Sequence, residues 1–428
     1  MTDTKVNNQR RSSIESSLRA VVFCPSPLGI FEQSLALQER NLLGTMALDF
    51  YCDVMKAPFR WLPEGKLKKY LRRRYVPALD SRRVRLHPLP AALSRLGQTF
   101  RRTSQATDRS VFWINAQFDG WVARHLDEFG NLAFGYESSS LFTFRRAKDL
   151  GLPCVLYQPI ACAEKAVDIL DEEARRFPEL VQTLRYNWFP ESELARRREE
   201  RQLADAILCA STFTKQSLVD VGVPEAKIFV EPYGVDQELF RPSEEKFDKF
   251  SVIWASSSTQ TKGFAYLLEA LSREPVPGME LVQTGYPRGF EPTDLYGNRV
   301  RVRRLGYVSR EQLASTMARC HVHVFPTLLD GFGRNLIEAM ASGLPVITTP
   351  NCAGPDLIED GITGFIVPIR DIDSICDRLA WLHTHPVEAI DMGRRARERV
   401  QTLTKADYRR RFADWMEAFW QTHSTQAQ

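Results

Sequence analysis

The sequence predicts an α/β protein built on parallel, doubly wound sheets, and three observations carry that expectation. Short apolar runs alternate with helical patterns along most of the chain. The runs end in polar or glycine-bearing turns, as strands of a parallel sheet do at their functional edge. A length of 428 residues exceeds a comfortable single core and points to two domains.

Taken in order, residues 1–18 are polar and read as an unordered tail. Residues 19–24 (RAVVFC) form a first strand closed by Pro25, Ser26 and Pro27, with Gly29 and a helical stretch over 31–43 behind it. Further strands are read at 111–115, 132–136, 154–157, 206–209 and 228–231, separated by helical patterns at 139–150, 164–184, 193–203 and 214–221. Their carboxyl ends carry Asn115-Ala116-Gln117, Tyr136-Glu137-Ser138, Gln158-Pro159 and Ser211-Thr212. Glu137 precedes a helix that opens with three serines. It fits either compensation of that helix's dipole or a role in acceptor binding and proton relay. Gly234 allows a positive φ at a sharp bend. The polar run 243–249 then reads as a linker. The expected organisation is a tail (1–18), a first domain (19–234) with a basic insert (56–109), a linker (235–248), a second domain (249–400) and a closing helix (401–422).

The second domain opens with a strand at 250–254 and a polar loop ending in Lys262-Gly263. The helix behind it shows Phe264, Leu267, Leu268 and Leu271 on one stripe. Strands at 280–284 and 300–305 and a helix at 311–318 follow. A buried strand, 322–325, then leads into the stretch TLLDGFGRNLIEAMASG at 327–343. Its glycine loop, Asp330-Gly331-Phe332-Gly333, opens a helix whose unpaired N–H groups attract anions and sugar hydroxyls. Asp330 and Glu338 frame that patch and suit a polyhydroxylated, phosphorylated ligand; a turn residue and a surface acid fit the same letters. Lys262 is a point charge well placed for a diphosphate, and an ordinary exposed lysine fits the same position. Asp371-Ile372-Asp373 follows a strand and opens a helix, so Asp371 is read as an N-cap and no metal is expected. Tyr408, Phe412, Trp415 and Phe419 make one apolar stripe, which serves either to pack on the first domain or to meet a membrane.

Composition bounds the function. The formal net charge is +4, too small to argue for nucleic acid. Residues 56–109, however, hold 15 Lys or Arg against three acids, a local balance of 15 − 3 = +12. Trp61, Leu67, Tyr70, Leu71 and Tyr75 interleave with these cations, which suits either an anionic membrane surface or a solvated helix with a core-facing stripe. No nucleic-acid-binding motif accompanies the charge. The eight cysteines form no Cys-x-x-Cys and no metal-spaced cluster, so a reduced, cytosolic compartment is expected. No signal peptide or membrane-spanning run is read.

The 330–347 stretch resembles the Glu-x(7)-Glu signature of retaining glycosyltransferases of family 4, usually written EGFG followed by EAMACGLPVI. Further motifs are similar: Ala204-Asp205 through Ser211, Pro232-Tyr233-Gly234-Val235-Asp236, Phe240-Arg241-Pro242, Lys262-Gly263, Gly306-Tyr307-Val308, and 351–367. The resemblance covers about 200–385 well and 19–200 in outline. It implies the GT-B fold, two Rossmann-like domains facing across a cleft, with a last helix returning to the first domain. The implied reaction moves a sugar from a nucleotide-sugar to a glycan, lipid-linked or other hydroxyl acceptor with retained configuration and no metal or other cofactor. Such chemistry serves polysaccharide or glycolipid synthesis, in the cytoplasm or on the inner face of a membrane.

By the same resemblance Lys262 and the N–H groups of 331–334 (Gly331, Phe332, Gly333, Arg334) stabilise the leaving diphosphate. Asp330 orients the sugar, Glu338 binds the ribose, Tyr307 lies beside the base, and Gly29 lines the first loop. The chain departs from the family at Asp330 (usually Glu), at Ser257 (usually the second diphosphate-binding Arg), at Tyr233 (usually Asn) and at Gln158 (often His). The hydroxyls of Ser256, Ser257 and Ser258 offer partial substitution on the donor side, Arg334 and Arg288 are candidates for the missing cation, and Glu137 and Gln158 are candidates for the acceptor side. The rival readings are a GT-B epimerase or phosphorylase, and a catalytically silent relative that binds sugar nucleotides.

Overall fold

The computed structural model describes every residue except 1–16, 27–28, 57–58, 64, 66–67, 69–70, 73, 93–103, 185–188, 286–298 and 427–428. Residues 1–16 of the expected tail, Leu67, Tyr70 and Arg288 therefore fall outside the described residues; Leu18, at the tail's end, is buried.

Two parallel sheets organise the chain. The first comprises β1 (Ala20–Phe23), β2 (Leu43–Leu48), β3 (Val84–Leu86), β4 (Leu132–Tyr136), β5 (Cys154–Gln158), β6 (Ala206–Cys209) and β7 (Ile228–Val230), in the spatial order β3-β2-β1-β4-β5-β6-β7. The second comprises β8 (Ser251–Ala255), β9 (Glu280–Thr284), β10 (Val302–Gly306), β11 (Val322–Phe325), β12 (Val346–Thr348) and β13 (Phe365–Ile366), ordered β10-β9-β8-β11-β12-β13. In each sheet the order reverses beside the first strand, β1 or β8, which is the doubly wound pattern. The central strands are buried along nearly their whole length, so they read as unbroken apolar runs rather than alternating ones.

The run at 111–115 is not a strand. It lies within a helix, Ser104–Arg124, in which Val111 and Trp113 stay exposed while Phe118 and Val122 are buried at a four-residue interval. Its β-branched and aromatic letters imitate a strand, but the helical period of the following residues prevails, and Asn115-Ala116-Gln117 is no strand end. The helix expected over 31–43 ends at Glu39, and β2 begins at Leu43. The pattern at 164–184 splits into a helix, Ala163–Arg176, and a 3-10 turn, Pro178–Thr183, because proline disfavours helical backbone in the residue before it. Asp371 does cap its helix, accepting from the Ser374 N–H at 2.9 Å.

The chain divides into two compact units, one of residues 1–157, 190–208 and 409–428, the other of 158–189 and 209–408. These cuts differ from a division at 235–248. In the second unit Tyr233 packs its ring edge-on against Phe332 at 5.2 Å. Fully buried Glu173 bonds Gln260, Tyr266 and Arg370 there, which ties 158–189 to residues far along the chain. Gly234 does not take a positive φ; glycine is needed because a Cβ would lie 2.2 Å from the Thr404 carbonyl oxygen. The core of the second unit is centred on Trp254, Phe264 and Phe325, with Trp254 and Phe264 rings 4.6 Å apart.

In the first unit the last helix, Lys405–Gln426, sets Phe412 edge-on to Phe134 at 5.4 Å, and Arg40 bridges Asp414 at 2.6 Å. The stripe thus packs inward. The basic insert is not wholly solvated either. Arg74 pairs with Asp49 in the interior, and Lys68, also buried, donates to the Arg60 carbonyl at 3.3 Å. Trp61 remains exposed with the Arg60 guanidinium 4.6 Å above its ring. Among the described residues no helix is long and apolar enough to cross a membrane.

Candidate functional site

The glycine loop after β11 lies in the second unit, and its backbone is fixed from several directions. Asp330 N donates to the Asn351 carbonyl at 3.0 Å, and Ala353 N donates to the Phe332 carbonyl at 3.0 Å. Ser211, at the end of β6, donates its hydroxyl to the Gly331 carbonyl at 2.6 Å. A Cβ at Gly331 would stand 1.8 Å from the Pro159 carbonyl oxygen, so only glycine fits there. Gly333 takes φ +80° as it turns into the helix Arg334–Ala341.

Lys262 and Asp330, 68 residues apart in sequence but neighbours in space, form the centre. The ammonium lies 2.6 Å from Asp330 Oδ2 and 2.9 Å from the Leu329 carbonyl oxygen. An ammonium has three donors, so among the described residues one remains for a ligand. Lys262 closes a 3-10 turn, Gln260–Lys262, and Gly263 follows at φ +73°, with the Pro326 carbonyl too close for any Cβ.

Asp330 Oδ1 accepts from the N–H groups of Phe332 at 3.0 Å and Gly333 at 2.8 Å. This corrects one expectation: those two N–H groups are not open donors, because the loop's own carboxylate already satisfies them. Burial would raise the Asp330 carboxyl. The Lys262 ammonium and the two N–H groups outweigh it and hold the carboxyl below the usual range.

Glu338 is buried, not a surface acid. Arg310, the first residue of the helix Arg310–Arg319, bridges it at 2.9 Å. Burial pushes the Glu338 carboxyl up, against the pull of Arg310, Arg334 and Lys405. Arg334 carries its guanidinium 4.3 Å over the Tyr233 ring, so the residue standing where the family has Asn acts as a platform for this cation. Ser257 accepts from the Thr259 N–H at 2.8 Å through its carbonyl, and Tyr307 is half-exposed.

The other expected residues lie apart in chain and role. Gly29, at φ +99°, precedes the helix Ile30–Glu39. Gln158 is buried and donates to the Ile160 carbonyl at 2.8 Å. Glu137 does not cap the helix Leu141–Asp149. It pairs in the interior with Arg197 at 2.9 Å and Arg201 at 3.4 Å. The helix N–H groups go instead to two other acids: Ser140 and Leu141 donate to Glu200 at 2.8 and 3.1 Å, and Phe142 and Thr143 to Asp119 at 2.8 and 2.9 Å. Burial pushes Glu200 up to about 8 despite Arg196.

Sequence reading missed Arg310 and Glu173, and it placed Ser211 at a strand end without its bond to Gly331. Only Arg310 left a local trace, following Ser309 in a capping box completed by Gln312. Among the described residues no group of three or more His, Cys, Asp or Glu is placed to hold a metal, and none of the eight cysteines forms a disulfide.

Comparison with known proteins adds likenesses of sequence and of fold. The model described as glycosyl transferases group 1 matches residues 235–399. The MMP alpha-(1->4)-mannosyltransferase of Mycolicibacterium hassiacum is 29% identical over 221 residues, which is 50% of this chain and 53% of that protein. A GDP-mannose-dependent alpha-(1-6)-phosphatidylinositol monomannoside mannosyltransferase of Mycobacterium tuberculosis is 26% identical over 226 residues, 47% of this chain and 59% of that one. The chain spans about half the length of the curated relatives it matches. Among solved structures, sucrose-phosphate synthase from Thermosynechococcus elongatus has a TM-score of 0.65 at 16% identity, covering 96% of this chain and 100% of that one. Anabaena HepE in complex with UDP gives 0.65 at 15%, covering 94% and 100%. At these identities the likeness is one of fold, the GT-B type expected from the sequence. Over residues 235–399 the chain is similar to the glycosyl transferases group 1 family.

Proposed function

We propose that this protein transfers a sugar from a nucleotide-sugar donor to a hydroxyl of a glycan or lipid-linked acceptor, with retained configuration and without a metal, in polysaccharide or glycolipid synthesis. The observation that carries the reading is the Lys262 ammonium, held at 2.6 Å from Asp330 beside a glycine loop that opens a helix. A diphosphate leaving group needs positive charge placed before the reaction, and such preorganised electrostatics is usually the largest catalytic term. Lys262 supplies one cation. Arg334, steadied on Tyr233, supplies a second in place of the arginine that Ser257 replaces.

In the proposed reaction the bond between the sugar's anomeric carbon and the diphosphate oxygen breaks as the acceptor oxygen bonds to the same face of that carbon. The acceptor's proton passes to the departing phosphate oxygen. No side-chain nucleophile is needed. Asp330 aligns Lys262 and meets the sugar, Glu338 takes the ribose hydroxyls, and Tyr307 flanks the base. Gln158 is assigned to the acceptor side, with Gly29 in the first loop, whereas Glu137, spent on Arg197 and Arg201, is left to the interior. A cytoplasmic location on an anionic membrane surface fits the insert's cations and the exposed Trp61, Met55 and Phe59. The relatives' printed names, which include phosphatidylinositol mannoside mannosyltransferase, favour a lipid-linked acceptor.

Incubation with UDP-, GDP- and ADP-sugars tests the reading. Slow release of free sugar and nucleotide from one donor is expected. Conversion of the sugar without nucleotide release would instead mark an epimerase, sugar phosphate formed from inorganic phosphate a phosphorylase, and binding alone a silent relative.

A further inference from the structure

We infer that Glu173 is a positioning residue for the diphosphate, acting on Lys262 from a segment, 158–189, that precedes β6 in the chain. The inference rests on the proposed function and extends it to a residue that touches no part of the donor.

Glu173 sits in the helix Ala163–Arg176 and is completely buried. Its Oε1 accepts from Gln260 Nε2 at 2.5 Å, and its Oε2 accepts from the Tyr266 hydroxyl at 3.0 Å and Arg370 Nε at 2.9 Å. A buried carboxylate is costly and persists where every lone pair is used. Here all three bonds reach elements of the second sheet's unit. Arg370 adopts φ +67°, an uncommon backbone for a side chain of its size, and directs two further donors to Glu172 at 3.0 Å and the Ile169 carbonyl at 3.0 Å. The segment is thus clamped from two directions.

The clamp continues to Lys262. The Gln260 side chain spans from Glu173 to the Ala265 N–H, which its Oε1 receives at 3.0 Å. Gln260 N donates to Thr183 Oγ1 at 3.0 Å, so the same segment also grips the turn's backbone. The next residue, Thr261, offers its carbonyl to Leu328 N at 3.1 Å and Leu329 N at 3.3 Å. Lys262 then returns to the Leu329 carbonyl and Asp330. Every residue of the turn Gln260–Lys262 is therefore tied either to 158–189 or to the glycine loop. A 3-10 turn with αL glycine behind it has little rigidity of its own. Glu173 and Thr183 supply it, and the reach of the ammonium depends on them.

The test compares binding of UDP, GDP and ADP, and of their monophosphates, to the wild type, Glu173→Gln and Thr183→Val by calorimetry, with thermal denaturation alongside. The inference expects the preferred diphosphate to weaken by on the order of tenfold in both variants, while the monophosphate changes far less. In a Lys262→Met background, Glu173→Gln should bring no further loss, because residues acting through one another are not additive. A purely structural role would lower the melting temperature and leave the diphosphate affinity of the folded protein unchanged, and that result overturns the inference. Equal losses for mono- and diphosphate, or full additivity with Lys262→Met, overturn it as well. Should Glu173→Gln not fold, Thr183→Val alone decides on the same criteria. Absence of diphosphate binding to the wild type would defeat the proposed function itself, and this inference with it.

Discussion

Each unit sets carboxylates against N–H groups at the mouth of a helix that follows a parallel strand, yet the two arrangements behave as opposites. In the first unit Asp119 and Glu200 are sealed from solvent, and with Glu137 and Glu193 they face Arg196, Arg197 and Arg201 in the interior. In the second, the Asp330 and Lys262 side chains keep 22% and 18% of their exposure. The interior cluster has spent its charges on itself and fixes where the chain goes. The open pair has a donor left over, and a ligand can compete for it. Resembling motifs at strand ends are thus told apart by what remains unspent.

That contrast can be broken by mutation. Arg197→Met removes a shared partner from Glu137 and Glu193, and loss of one side of a buried ion pair costs about 3–5 kcal/mol. Urea unfolding should reveal it, and near-normal stability would return Glu137 to the list of functional acids. Lys262→Ala should cost less stability than Arg197→Met and cut turnover by roughly 10²–10³; unaltered donor turnover removes Lys262 from the mechanism. Gly331→Ala must displace the Pro159 backbone, at about 1–3 kcal/mol, and a melting temperature equal to the wild type's would contradict the close approach.

The smallest effect sharpens the comparison through pH. Glu200 has a raised pKa of about 8, so the folded state holds a proton that the unfolded state has released. Its contribution is present below the ordinary glutamate range and is lost as pH rises toward about 8. Asp330, held low, has the reverse sign: its contribution is present above the ordinary aspartate range and is lost in acid. Denaturation midpoints measured across that range should fall toward alkaline pH, and Glu200→Gln should flatten the slope. A wild type with no alkaline decline would place Glu200's charge balance elsewhere.

Much of the architecture was legible because its strands are buried on both faces. The limits of β4, β6, β9 and β11 coincide with apolar runs, and no partner sequence is needed to see them. β2 was not read, since LGTMAL mixes glycine and threonine into its run, and β3 is only three residues long. Residues 111–115 misled for the opposite reason, being strand-like letters on an exposed helical face. At the candidate site, Lys262, Asp330 and Glu338 could be named because each sits in a local motif. What each one bonds could not. Arg310 reaches Glu338 and Ser211 reaches Gly331 across the fold, and pairings between distant segments leave no periodic trace. The Asp330 carboxylate taking up the Phe332 and Gly333 N–H groups was equally invisible, since the same letters permit an open loop.

The non-contiguous make-up of the second unit bears on any attempt to build hybrids. Grafting residues 235–399 onto another relative would carry Lys262, Asp330 and Glu338 along and leave Glu173, Thr183, Pro159 and Ser211 behind with the recipient. Such a chimera would inherit the chemistry without its braces. A transplant respecting the physics would take 158–189 and 209–408 together, even though that means cutting the donor chain in more places.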